Sequence, residues 1–165
     1  MSEFEKIRKS FRPERITTLF VGESAPSGGT FFYNENSNLF RCMKRAFDGQ
    51  ATFLDDFKSS GFYLDDLVPI PVNKLERQDR SALRQQSISA LADRLADYKP
   101  MAIVILMHAI VPMVRKAMLK AGISCESYST PFPTIGNQNR FHNKMIEIIC
   151  RLPVRGDDNR KELTA

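Results

Sequence analysis

The sequence predicts an α/β fold, a three-layer αβα sandwich built on a four-stranded parallel sheet. Three observations carry this. Four short runs of apolar and β-branched residues alternate with segments whose apolar positions recur at helical spacing. Two of the runs, 16–21 and 101–107, are apolar or β-branched throughout and carry no charge, as strands covered on both faces do. Prolines or glycines close the first two runs, so turns must follow them, and ligands of open α/β sheets bind at such strand ends.

Each element follows in order. Phe4, Ile7 and Phe11 fall at helical spacing before Pro13, which predicts an N-terminal helix over residues 2–11 on the outside of the sheet. The first strand, 16–21, breaks at Gly22 and a loop holding Pro26, Gly28 and Gly29. After the aromatic cluster Phe31-Phe32-Tyr33, the residues Leu39, Phe40, Met43, Ala46 and Phe47 mark a helix. Ser37 or Asn36 is its N-cap and Gly49 its stop. Residues 52–60 read as one or two helical turns closed by Gly61. The second strand, 62–68, carries Asp65 and Asp66 in an otherwise apolar run, and alternation lets only one of them point into a given face. A polar loop leads to a long helix over 81–98, then a third strand at 101–107. Pro112 and Gly122 bracket the next helix. A fourth strand at 123–128 runs into a loop rich in Pro, Ser and Thr, and a last helix covers 138–152. Residues 1–154 form one domain with no internal repeat, and the polar tail from 155 is expected to be disordered.

At 165 residues, 42% hydrophobic and 26% charged, the chain suits a single globular domain, and no apolar run approaches the roughly 18 residues of a membrane span. The first residues hold no secretory apolar stretch, so the expectation is an intracellular protein without membrane partners. Cys42, Cys125 and Cys150 are too few and too far apart for a disulfide framework or a metal motif, and read as small buried hydrophobes. A net charge of +5 favours a polyanionic partner if Arg41, Lys44, Arg45, Lys74, Arg77, Arg80, Arg140 and Lys144 share the face of the binding cleft. Neither a Walker lysine nor a GxGxxG turn follows the first strand, which disfavours nucleotide triphosphatases and dinucleotide enzymes.

The segment 16–47 is where chemistry concentrates, because it brings a carboxylate, flat aromatic faces and several amides to one strand end. Glu23 has the right position for a general base, or equally for a solvated turn acid. Phe32 is a stacking platform or an ordinary core aromatic. Asp65 and Asp66 are site acids or partners in salt bridges, since unpaired buried charge is expensive. His108, at the end of the third strand, reads more readily as a helix-start residue than as a catalyst. Arg140 and Lys144 grip phosphate or sit on a solvated face.

The order of these motifs resembles the uracil-DNA glycosylase superfamily. The resemblance rests on the strand ending Gly22-Glu23-x-x-Pro26, the Gly29-x-x-Phe32 segment, the Asn38-Leu39-Phe40 helix start, the second strand, the Tyr98-Lys99-Pro100 step into the third, and Thr130-Pro131 before the last helix. It spans about residues 15–152 and is nearest the mismatch-specific uracil/thymine branch. It implies a protein that extrudes and hydrolyses or binds a damaged or deaminated base in single- or double-stranded DNA. In that pattern Glu23 takes the place of the water-activating residue and Phe32 that of the base-stacking aromatic. Gly22 and Ser24 would offer backbone N–H groups to the base, and Asp66 would lie near the base-reading amide. Thr130 and Pro131-Phe132 would occupy the loop that enters the minor groove, with Arg140 and Lys144 on phosphates. The family's histidine is replaced by Thr130, and the four cysteines of the iron–sulfur branches are missing, so no cluster or other cofactor is implied. Two other functions fit the same residues: a non-catalytic nucleic-acid-binding domain of this fold, and an enzyme acting on a free nucleoside or nucleotide.

Overall fold

A computed structural model describes residues 2–153. Its strands β1 (Thr18–Gly22), β2 (Phe62–Asp66), β3 (Ala102–Ile105) and β4 (Glu126–Ser129) form one all-parallel sheet in the order β2-β1-β3-β4. Among the described residues there are seven α-helices: α1 (Glu3–Ser10), α2 (Asn38–Ala46), α3 (Phe53–Ser59), α4 (Arg77–Gln86), α5 (Ile88–Tyr98), α6 (Val111–Lys120) and α7 (Gln138–Ile149). None is long and apolar enough to cross a membrane.

Strand order and handedness fix the layers. The connection from β1 to β2 runs one way along the sheet, and those from β2 to β3 and β3 to β4 run the other way. Right-handed crossovers therefore put α2 and α3 on one face and α5 and α6 on the other. The packing agrees: α5 lies on α6, α3 on β2, and α7 completes its layer against α2. This is the expected αβα sandwich.

Several boundaries differ from the sequence reading. The first three strands are shorter than the apolar runs that announced them, although the runs' ends stay tied to the sheet: Leu67 N–H donates to Gly22 C=O (2.9 Å) and Leu106 N–H to Val21 C=O (2.9 Å). Strand β4 begins three residues late because Gly122 turns left-handed (φ 67°) and Ile123 N–H closes α6 by bonding Met118 C=O (2.9 Å). The single helix expected over 81–98 divides at Ser87. Only α5 has an inward stripe, Leu91, Ala92 and Leu95, whereas α4 buries no residue at all. The tail expected from residue 155 lies outside the described residues. The cysteines are less buried than predicted, with Cys42 and Cys125 half-buried and Cys150 exposed.

One charged cluster lies inside. Arg8, 4% exposed, reaches from α1 to the end of β2, where its Nη1 donates to Asp65 Oδ1 (2.6 Å) and its Nη2 to Asp66 Oδ2 (2.7 Å). Both acids thus meet one guanidinium, although their side chains leave opposite faces of the strand. Arg94 Nε (2.8 Å) and the Tyr98 hydroxyl (2.9 Å) also donate to Asp65 Oδ2. The outer rim of β2 is closed as well. The Tyr33 hydroxyl accepts from Leu64 N–H (2.7 Å) and donates to Leu64 C=O (3.0 Å). Asp66 N–H donates to Asp65 Oδ1 (2.7 Å), and Asp66 C=O accepts from Arg94 Nη2 (2.6 Å).

Removing Arg8 strands the Asp66 carboxylate and leaves Asp65 with Arg94 as its remaining cation. Arg8→Met is expected to cost about 3–5 kcal/mol at neutral pH in urea denaturation, the range for breaking a buried pair. Adding Asp66→Asn should recover part of that loss; no recovery would mean that Arg8 acts through packing on Phe31, whose ring lies 5.4 Å from the guanidinium.

Candidate functional site

The sheet order reverses at β1, where connections leave in opposite directions, and such a switch point opens a crevice beyond the carboxyl ends of the strands. A cleft of about 480 Å³ lies there. The turn after β1 supplies Gly22, Glu23 and Ser24 to its wall, and the following aromatic segment supplies Phe31 and Phe32. Asp66 comes from the end of β2, Met107 from beyond β3, and Phe132 from the loop after β4.

The floor is tightly fitted. A Cβ at position 22 would sit 2.5 Å from Asp66 Oδ1, so only glycine lets this carboxylate lie against β1. Asp66 is unequally served: Arg8 takes Oδ2, while among the described residues no hydrogen bond reaches Oδ1. Burial pushes the Asp66 carboxyl up from its ordinary value, and Arg8 offsets this only in part. Asp65 is buried as deeply, but the charges of Arg8 and Arg94 and its hydrogen bonds overcome the burial and hold it below the usual range. Asp65 is therefore the structural acid and Asp66 the one presented to the cleft.

Glu23 is nine-tenths buried and closed by two arginines of α4. Arg80 Nε donates to Oε1 (2.7 Å) and its Nη2 to Oε2; Arg84 Nε donates to Oε1 (2.6 Å) and its Nη2 pairs with the same oxygen. Burial raises the carboxyl, but these hydrogen bonds and charges outweigh it and keep Glu23 below its ordinary value. An acid so held is ionised and a weak proton acceptor. Arginine at 80 and 84 is the feature that the sequence reading did not connect to Glu23, although an i, i+4 pair on a helix with no inward stripe announces a shared task.

The predicted aromatics are placed unevenly. Phe32 is 3% exposed, with its ring packed edge-on or tilted against Tyr33, Phe40, Phe53 and Phe57, so it gives the cleft only its rim. Phe31 has one face stacked on Phe4 at 4.7 Å. Phe132, expected on the DNA side of its loop, lines the cleft and is the most accessible of the three rings. Ser24 lines it too, its Oγ accepting from Val72 N–H (3.3 Å).

Other predicted residues lie away from the cleft. Thr130 is fully buried, with its N–H donating to Ile105 C=O (2.9 Å), and Pro131 does not line the cavity. Arg140 and Lys144 are exposed on α7, and Lys144 pairs with Glu147 (3.2 Å). His108 is exposed in a short 3-10 helix (His108–Ile110). One residue passed over in the sequence stands out here: Ile135, beside the left-handed Gly136 in the loop after β4, is 99% exposed. Asn38 Nδ2 fastens that loop by donating to Pro133 C=O. Among the described residues no group of three His, Cys, Asp or Glu is arranged to hold a metal ion. No family model matches the chain, and no curated protein matches it in sequence.

The Glu23 clamp gives stability a definite pH dependence. Because the folded state lowers this carboxyl, its contribution is complete above the ordinary value of 4.5 and is lost as the pH falls through the lower folded value. Wild type is thus expected to exceed Glu23→Gln by about 1–2 kcal/mol at neutral pH, discounted for the solvent-exposed part of Arg80. The gap should close in acid. A gap independent of pH in paired denaturation curves would show that charge is not what the clamp supplies.

Proposed function

We propose that this protein is a DNA glycosylase-like protein of the uracil-DNA glycosylase type, which receives an extruded base in the cleft beyond β1 and β3. The observation that carries the reading is the convergence on one cavity of Gly22, Glu23, Phe32 and Asp66, four residues that the motif resemblance names for base binding and cleavage. At about 480 Å³ the cavity has the size of small-molecule sites and room for a base with its sugar. Holding such a base requires stacking and edge hydrogen bonds, since extrusion costs a few kcal/mol. Phe132 and the rim of Phe32 supply the former, and Asp66 Oδ1 supplies an acceptor for the latter.

Cleavage of the bond between base and sugar develops positive charge on the sugar, which an ionised Glu23 stabilises while it orients the attacking water. Asp66 sets the preference among bases. As an ionised acceptor it favours bases that present N–H donors and repels carbonyl oxygens; only when protonated does it donate to a uracil oxygen. Ile135 suits the apolar side chains that wedge between base steps and hold a duplex open.

A second reading, a domain that binds the base without cleaving it, is favoured by the clamp itself, because Arg80 and Arg84 occupy both oxygens of Glu23. Labelled duplex and single-stranded oligonucleotides bearing uracil, hypoxanthine, xanthine or a G·T mismatch, scored for abasic sites, separate the two. If Glu23 acts on water, Glu23→Gln should retain binding and lose at least about two orders of magnitude in base release. Specific binding without abasic sites would support the second reading, and the absence of salt-dependent binding to any of the strands would remove both.

The loop makes its own prediction. Ile135→Ser should weaken binding to duplex by roughly tenfold, the scale of about 1.4 kcal/mol, and leave single-strand binding nearly unchanged, because only a duplex has to be wedged open. Equal losses on both substrates in a filter-binding assay would argue against the wedge.

A further inference from the structure

We propose that Arg80, on the cleft wall, and Arg84, one turn further along α4 and outside the cavity lining, form an anion subsite that takes a phosphate group joined to the bound base and releases Glu23 as it does so. The proposal rests on the reading of the cleft as a base site and adds to it a ligand group and a switch.

Three observations lead to it. The clamp is unbalanced in charge, with two guanidiniums on one carboxylate, and no other acid among the described residues pairs with either arginine. It is also unbalanced in hydrogen bonding. Arg80 Nε and Arg84 Nε both donate to Glu23 Oε1, which Arg84 Nη2 also meets as an ion pair, while Oε2 accepts from Arg80 Nη2 alone. A phosphate spreads its charge over several oxygens and accepts two guanidinium forks without crowding. Finally, the helix that carries the arginines is anchored lightly, with Leu83 its one apolar contact to the core. Helix α4 buries none of its residues and packs on α5, so shifting two side chains by an ångström or two leaves the core intact. Arg80 already lines the cleft, where its side chain keeps 31% exposure.

The exchange has a chemical consequence. With both arginines turned to phosphate, Glu23 loses the donors that hold its carboxyl down and becomes a better proton acceptor beside the base. Binding of the correct ligand would thereby arm the acid, and an empty cleft keeps it closed. The phosphate comes from one of two sources, a phosphodiester of a strand or the phosphomonoester of a free nucleotide.

The test is calorimetric titration at fixed ionic strength with inorganic phosphate, deoxyuridine, deoxyuridine 5′-monophosphate and a short single strand carrying one deoxyuridine. A phosphorylated form should bind about tenfold more tightly than deoxyuridine, the scale of one charge-assisted hydrogen bond. Preference for the strand identifies the diester, and preference for the monophosphate the free nucleotide. The advantage should vanish in Arg80→Gln and Arg84→Gln, shrink in Arg84→Lys, and grow several-fold in Glu23→Gln, where the competing carboxylate is gone. That gain cannot come from a misfolded variant, which protects the test if an arginine substitution fails to fold. Deoxyuridine binding with no gain from phosphate would overturn the subsite and leave the base reading standing. Arginine-dependent binding of inorganic phosphate without deoxyuridine binding would do the reverse. Loss of affinity in Glu23→Gln would overturn the competition, and silence from every probe would end both ideas.

Discussion

Arg8 holds two carboxylates where water does not reach, and much of the site depends on how that charge is distributed. Taking Asp65 and Asp66 out of water would cost several kcal/mol each if they stood alone. Arg8 and Arg94 bring two positive charges against their two negative ones, and the Tyr98 hydroxyl and a backbone N–H complete Asp65. The pairing joins the first helix to the end of β2. It also fixes Asp66 against Gly22, so the floor of the cleft is set by a residue from the opposite end of the domain's first element.

Two adjacent strand ends therefore manage acids in contrasting ways. At β2 the two buried carboxylates are matched by Arg8 and Arg94, with the part-exposed Glu5 adding a third carboxylate at Arg8 Nε (3.1 Å). At β1 the Glu23 carboxylate meets a surplus of positive charge from a helix with no buried residue. Rigid support on one side and a lightly anchored helix on the other is the division that the proposed exchange of Glu23 for phosphate requires.

The sheet was legible because its evidence is local. Uncharged runs such as 16–21 and 101–107 have few alternatives to buried strands, and Gly61 and Gly122 mark turns through their own backbone freedom. Glu23 and Phe32 were legible as cleft residues because they lie in the segment that follows the first strand, whereas Asp66 was distinguished from Asp65 only by the motif resemblance. Thr130 shows the limit, because whether a loop residue faces in or out depends on its neighbours across the sheet. The arginine partners of the acids were hidden for a related reason, lying 29 to 61 residues away in the chain. Arg8 did leave a trace. It shares the apolar stripe of Phe4, Ile7 and Phe11, and a cation on an inward stripe requires a buried acid somewhere. Two aspartates in an apolar strand were the complementary trace, and reading the two together would have paired them.

The Tyr33 hydroxyl has a consequence that concerns other molecules. An edge strand ordinarily presents alternate N–H and C=O groups to any chain that can add itself to the sheet. On β2 the outward groups of Leu64 are both taken by one phenol, and those of Asp66 by the Asp65 carboxylate and Arg94. Burial pushes the phenol's ionisation well above its ordinary value, so it remains both donor and acceptor through the physiological range. Along this stretch the sheet is insulated: a neighbouring strand would find no bond to make at Leu64 or Asp66, and the first helix lies against the same edge through Arg8 and through Phe11, which stacks on Tyr33 at 5.1 Å.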